Sequence, residues 1–195
     1  MKQLTRTLQI LLGVTFLFSA YTKAVGPGFF EITLMDQGLA ANRALAGHMA
    51  RFFIGLEFGL GVLIILPYYA KQLMRFTFVL LGGFTAHLIY LWAIGDTGNC
   101  GCFGEMISMT PEQSIIKNIL MLIVAFVIFK YARVKTISKS IVLGFMSITI
   151  LSMWFILPMP NHEDFPFESF TKFEPKGRVD LSNGKNLVAI FNLDC

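Results

Sequence analysis

Five apolar runs, each about as long as a lipid bilayer is thick, leave this chain few folds to choose from. A helix rises 1.5 Å per residue, so roughly 20 apolar residues cross a hydrocarbon core of about 30 Å. Only helices and closed barrels satisfy their own backbone polar groups there. The runs fall at Leu8–Val25, Met49–Tyr68, Phe76–Ile94, Ile115–Tyr131 and Ile141–Leu157. They predict an all-α polytopic membrane protein. Composition agrees, with 55% of the residues hydrophobic and 14% charged, whereas soluble domains carry about a quarter of charged residues. The net charge of +4 is spread through loops rather than gathered on one basic face, so no nucleic-acid partner is expected. The lipid bilayer is the first partner.

Charge also gives the orientation. Lys2 and Arg6 precede the first run, Lys71 and Arg75 separate the second and third, and Lys130, Arg133, Lys135 and Lys139 separate the fourth and fifth. Alternate threading puts all three groups on one side, which the positive-inside rule assigns to the cytoplasm. The loops over 26–48 and 95–114 then face outward, as does the C-terminal tail. This predicts a multi-pass protein of a bacterial inner membrane, N-terminus cytoplasmic and C-terminus periplasmic. A cleaved signal peptide ending near Phe18-Ser19-Ala20 is the competing reading of the first run, and it would leave every later loop on its side.

Between the first two runs, residues 26–47 are too polar and too broken by Gly and Pro to span, and an interfacial helix is expected there. After the fifth run, Pro158-Met-Pro-Asn-His-Glu-Asp-Phe-Pro reads as an extended linker. From Val179 the pattern changes to a Ser-Asn-Gly-Lys turn and a continuous apolar run, Leu187–Phe191, that reads as a buried strand. The sequence ends at Cys195, as a second domain cut off after its opening would.

The strongest local signal is Gly98-Asn-Cys-Gly-Cys-Phe-Gly-Glu105. Cys100 and Cys102, one glycine apart, can close a small disulfide, and strained exposed disulfides exchange rather than brace a fold. Two ordinary loop cysteines and a Cu(I) site completed by Met106 and Met109 are the other readings. Among ionisable residues inside the runs, where such groups are functional or paired, Glu57 and His87 are candidates for proton relay or quinone contact, or for satisfying each other across helices. Arg51 and Glu57, about two turns apart, are not expected to pair. Lys23, His48 and Lys117 read as interfacial anchors.

Leu11-Leu-Gly-Val-Thr-Phe-Leu-Phe-Ser-Ala-Tyr-Thr-Lys23, Gly55-Leu-Glu-Phe-Gly-Leu-Gly61, Asn99-Cys-Gly-Cys-Phe-Gly104 and Lys117-Asn-Ile-Leu120 together resemble the MauE branch of the DoxX-like membrane proteins, over roughly residues 8–131. The resemblance implies a four-helix membrane core. It also implies extracytoplasmic thiol or disulfide handling, first described in the maturation of the disulfide-rich methylamine dehydrogenase. Gly184–Cys195 is similar to the entry of the TlpA-type, thioredoxin-like domain that follows this core in several relatives, and a Cys-X-X-Cys would begin at Cys195. The expected architecture is therefore a four-helix transmembrane bundle plus a fifth span, with a short extracytoplasmic tail containing a β-strand. Its expected domains are 1–135 (the MauE/DoxX-like part), 136–158 (the fifth helix), 159–178 (a linker) and 179–195 (the start of a thioredoxin-like domain).

The function expected is exchange of electrons between the Cys100/Cys102 pair and a thioredoxin-like partner, in cis or in trans, with Glu57 and His87 as further site residues. The membrane core is expected to connect the pair either to quinone, the one cofactor considered, or to a cytoplasmic donor, with the direction of electron flow left open. The alternatives are a non-enzymatic anchor for a thioredoxin-like domain and a Cu(I)-binding membrane protein.

Overall fold

The computed structural model describes residues 2–68, 70–96, 98, 100–132, 138–158, 172–173 and 179–180, in two compact units, residues 1–159 and 160–195. In the first unit the elements are α1 (Lys2–Val25), α2 (Pro27–Asp36), α3 (Arg43–Ile65), α4 (Ala70–Ala93), β1 (Cys102–Glu105), α5 (Pro111–Tyr131) and α6 (Lys139–Ile156). All the helices except α2 are long and apolar enough to cross a membrane.

Every one of these five helices starts before the apolar run that announced it, and in α3 and α5 a side-chain cap sets the start. The Asn42 side chain accepts from Leu45 N at 2.8 Å and opens α3. Thr110 and Gln113 form a reciprocal capping box around Pro111 and open α5. At the other end of α3, Leu66 turns extended ahead of Pro67, as a residue before proline prefers. Segment 26–47, expected as an interfacial helix, does form α2, but that helix buries Phe30, Glu31 and Leu34 and packs on α3.

Helix α1 packs on α3 and α5, α4 on α5, and α6 on α3. The first core joins Leu12 and Phe16 of α1 to Leu60 and Ile64 of α3, Met74 and Leu81 of α4, and Ala125 and Ile128 of α5. Glycine sets the closest approaches. A Cβ on Gly13 would lie 2.7 Å from Gly61 O, and one on Gly55 would lie 2.7 Å from the Ile150 Cα of α6. Small residues of this kind let membrane helices draw close where no hydrophobic effect drives them together. Outward-facing apolar side chains such as Ile119, Ile123, Leu151 and Phe155 suit contact with lipid.

The loops sort into two ends. β1 packs against α1 and α2, while Leu66 and Tyr68 share a pocket with Ile141, and Arg75 lies over the Phe129 ring. In the second unit, β2 (Lys172–Phe173) pairs antiparallel with β3 (Val179–Asp180). The stretch expected as a plain linker over 159–178 therefore contains a strand. The strand expected at Leu187–Phe191 and the terminal Cys195 lie outside the described residues.

Candidate functional site

The Cys loop is folded back on itself. Cys100 N donates to Met109 O at 3.0 Å, Gly104 N to Gly101 O at 3.2 Å, and Phe103 bridges to Ile107. Two glycines make the bend possible. Gly101 and Gly104 sit at φ +68° and +57°, where other L-residues pay roughly 1–2 kcal/mol. They also touch their neighbours: a Cβ on Gly101 would meet Thr33 Cγ2 at 2.8 Å, and one on Gly104 would meet Thr22 O at 2.8 Å. The loop is pressed onto α1 and α2 by its own lack of side chains. Gly104→Ala should lift it, raising alkylation of the buried Cys100 thiol by roughly five- to thirtyfold for a cost of ~1–2 kcal/mol. Mass-spectrometric footprinting of Cys100 reads this directly.

Two polar clusters hold the loop by its backbone. On one side Lys23, near the end of α1, donates at 2.9 Å to the Cys102 carbonyl, at 2.7 Å to Ser19 Oγ and at 2.8 and 3.0 Å to the Glu57 carboxylate. Ser19 Oγ donates to the same Cys102 carbonyl at 2.9 Å. Lys23 and Glu57 are only 3% and 5% exposed, so the ion pair lies among apolar helices. On the other side Gln37 Nε2 donates to the Cys100 carbonyl at 3.2 Å, and Gln37 Oε1 lies 3.2 Å from His87 Nε2.

The sulfurs themselves are treated differently. Both thiols are free. Cys100 is buried and its Sγ lies 2.7 Å from Ser114 Oγ on α5. Cys102 is partly exposed. The capping box fixes the register of α5 so that Ser114 and Lys117, one turn apart, meet the loop, while Asn118 Nδ2 donates to Thr85 Oγ1 of α4 at 3.3 Å. Lys117 Nζ lies 4.3 Å over the Phe103 ring. The hydrogen bond from Cys100 lowers the Cys102 thiol to about 5 against the opposing effect of burial, with further help from the Lys117 charge, the Ser114 hydroxyl and the Lys23 charge. The same contact with Cys102, then burial, pushes the Cys100 thiol up. The contact thus lowers one sulfur and raises the other, which is how a nucleophile and its resolving partner differ.

The family comparison bears on the same residues. Residues 1–131, which contain the loop and both clusters, match the family described as methylamine utilisation protein MauE. This chain belongs to the MauE family. Protein TlpB of Flavobacterium psychrophilum is 35% identical over 170 residues, covering 82% of this chain and 46% of TlpB. The chain therefore spans about half the length of that relative. No solved structure matches it.

Within this MauE-family chain the four residues expected at the site converge on one loop: the two cysteines meet there, and Glu57 and His87 reach it through other side chains rather than through each other. Glu57 reaches Cys102 through Lys23, and His87 reaches Cys100 through Gln37; the expected alternative of a Glu57–His87 pair is not what forms. Lys23, expected as an interfacial anchor, is instead buried in the site, because a carboxylate waits for it across the helix interface. Arg51 does not pair with Glu57, as expected, but it too is buried. Its Nη1 donates at 2.8 Å to Glu31 Oε1 and at 2.8 Å to Gly47 O, Nε at 2.6 Å to Leu157 O and Nη2 at 2.9 Å to Pro158 O. His48, also expected as an anchor, accepts from Trp154 Nε1 at 3.0 Å.

The Cys102 environment has a measurable consequence. A thiol lowered to about 5 is ionised above that pH and protonated below it. Its iodoacetamide reaction should hold a plateau from pH 6 to 8 and fall about tenfold per unit below pH 5. A midpoint near the ordinary cysteine value of about 8.5 would show that the loop does not hold a thiolate.

Proposed function

We propose that this chain is the membrane-embedded member of a thiol–disulfide exchange system. The Cys102 thiolate forms and breaks a mixed disulfide with an extracytoplasmic thioredoxin-like partner, and Cys100 resolves it. In that step the attacking thiolate takes one sulfur of the partner's disulfide and expels the other as a thiolate. Cys100 then loses its proton and displaces the partner's remaining sulfur, leaving Cys100 and Cys102 oxidised and the partner reduced; the reverse sequence passes electrons the other way.

The observation that carries this reading is the asymmetry of the pair: a partly exposed Cys102 beside two lysines, and a buried Cys100 on a serine hydroxyl. Glu57 and His87 are positioning residues in this scheme, acting through Lys23 and Gln37. The bundle is α1, α3, α4 and α5, with α6 added on α3 to carry the chain outward to residues 160–195, where a thioredoxin-like domain would begin. The Cys loop faces the periplasm of a bacterial inner membrane, in keeping with Arg75, Lys130 and Lys139 at the opposite end.

The test uses the full chain with Cys195→Ser, so that only the loop thiols react. Adding Cys100→Ser should trap a covalent, dithiothreitol-sensitive complex with a TlpA-type thioredoxin-like domain, at least tenfold more than Cys102→Ser does. If neither variant traps a complex and the double serine variant still supports disulfide maturation in cells, the chain is an anchor and the exchange reading fails.

A further inference from the structure

Behind the thiol pair lies a cavity of about 70 Å³ that no step above uses. Both cysteines border it, and so do side chains from α1, α3, α4 and α5, among them Phe16, Glu57, Leu81 and Met121. Four helices of membrane-spanning length thus contribute to one small chamber that both cysteines border.

We infer that this cavity is the binding site of a quinone-class electron carrier, which takes the electrons of the Cys100/Cys102 pair on the membrane side. The inference rests on the exchange reading and supplies the acceptor that reading lacks.

Size is the first argument. By this measure one water needs ~10–15 Å³ and claims ~30 Å³ of liquid, so the cavity has the volume of roughly five to seven waters, ~150–200 Å³. That is room for one substituted six-membered ring. Chemistry of the walls is the second. Phe16, Phe30, Leu81, Phe84 and Met121 offer aromatic and aliphatic surface, against which a hydrophilic thiol carrier would lose the hydration of its charges at several kcal/mol each. A flat ring soluble in the bilayer loses nothing of the kind. The third is a free donor beside the sulfurs. The Lys117 ammonium borders the cavity and rests on the Phe103 ring face, and among the described residues no oxygen accepts from it, so it is available to a ring carbonyl. The Lys23 ammonium, by contrast, already holds Ser19, Glu57 and the Cys102 carbonyl.

The step balances. The S–S bond forms as the Cys100 S–H bond breaks, and two electrons pass to the ring. Its two carbonyl oxygens take two protons, one from the Cys100 thiol and one from water, replacing the proton that Cys102 released on ionising. A disulfide and a hydroquinone result.

Duroquinone is a suitable probe, because its four methyl groups leave no open ring position for a thiol to add to. With the reduced Cys195→Ser chain in detergent, oxidation of the pair should saturate with duroquinone and yield one hydroquinone per disulfide. Met121→Trp, whose indole fills the chamber, should slow it at least tenfold. Leu81→Ala, which enlarges the chamber, should shift half-saturation at least threefold, and it decides the matter if the tryptophan variant does not fold. A rate linear in duroquinone, or one that neither variant changes, overturns the inference, as does the absence of oxidation. The mixed-disulfide trap needs no quinone. A positive trap without saturable oxidation sinks the cavity site alone, whereas saturable oxidation without a trap sinks the thioredoxin-like partner and leaves the cavity site standing.

Discussion

Lys23→Met should destabilise the protein by about 3–5 kcal/mol, the usual loss when one member of a buried ion pair is removed and the other stays charged in low dielectric. Glu57 would keep a carboxylate that is 5% exposed with its 2.8 Å partner gone. Lys23→Met combined with Glu57→Leu should recover most of the loss, since two apolar side chains leave no charge to bury. The pair would then show a coupling of several kcal/mol in a double-mutant cycle, read from reversible unfolding in mixed detergent micelles. Additive losses would mean that the two side chains do not depend on each other. Ser19 still reaches the Cys102 carbonyl in the double variant, so loop and stability can be separated: Cys102 alkylation should stay nearer wild type than in Lys23→Met alone.

Arg51→Lys is expected to cost nearly as much as Arg51→Met, again about 3–5 kcal/mol. Arg51 is fully buried and its three guanidinium nitrogens serve four oxygens on α2, α3 and the end of α6. A planar fork can meet such a spread of acceptors, and a compact ammonium cannot. Two of the four are the carbonyls of Leu157, the C-cap of α6, and of Pro158 just past it. The loss should therefore localise: backbone hydrogen exchange near the end of α6 should accelerate ahead of α3 and α5. If Arg51→Lys unfolds and exchanges like wild type, the fork geometry contributes nothing.

The spans were readable because their signal is local, a run of apolar residues long enough to cross. Their starts were not, because Asn42 and the Thr110–Gln113 box lie in polar turns that hydropathy discards. The thiol pair was readable as two cysteines and a glycine. Its asymmetry was not, since that depends on Ser114 and Lys117 meeting the loop from α5. The ion pairs were the plainest omission. Lys23 finds Glu57 and Arg51 finds Glu31 at separations of 34 and 20 residues, and no periodicity encodes such a meeting. A signal was nevertheless present. Two cations and two anions lie within or beside apolar stretches, and the cost of burying any of them alone asks for two pairs. Reading Lys23 by its position near a helix end, as an interfacial anchor, passed over that balance. The cavity had no sequence signature at all, because four helices each give it a few ordinary apolar side chains.

Gln37 holds the Cys100 residue, and Lys23 and Ser19 the Cys102 residue, by backbone oxygen in each case. The mounting therefore grips parts of the loop that take no share in sulfur chemistry. It can stay in place while the sulfurs pass from thiol to mixed disulfide to disulfide, much as a vice holds a workpiece by its shank and leaves the tip free to be cut. Serine in place of either cysteine should disturb that grip little, so such variants report on the chemistry of the pair rather than on the survival of the fold.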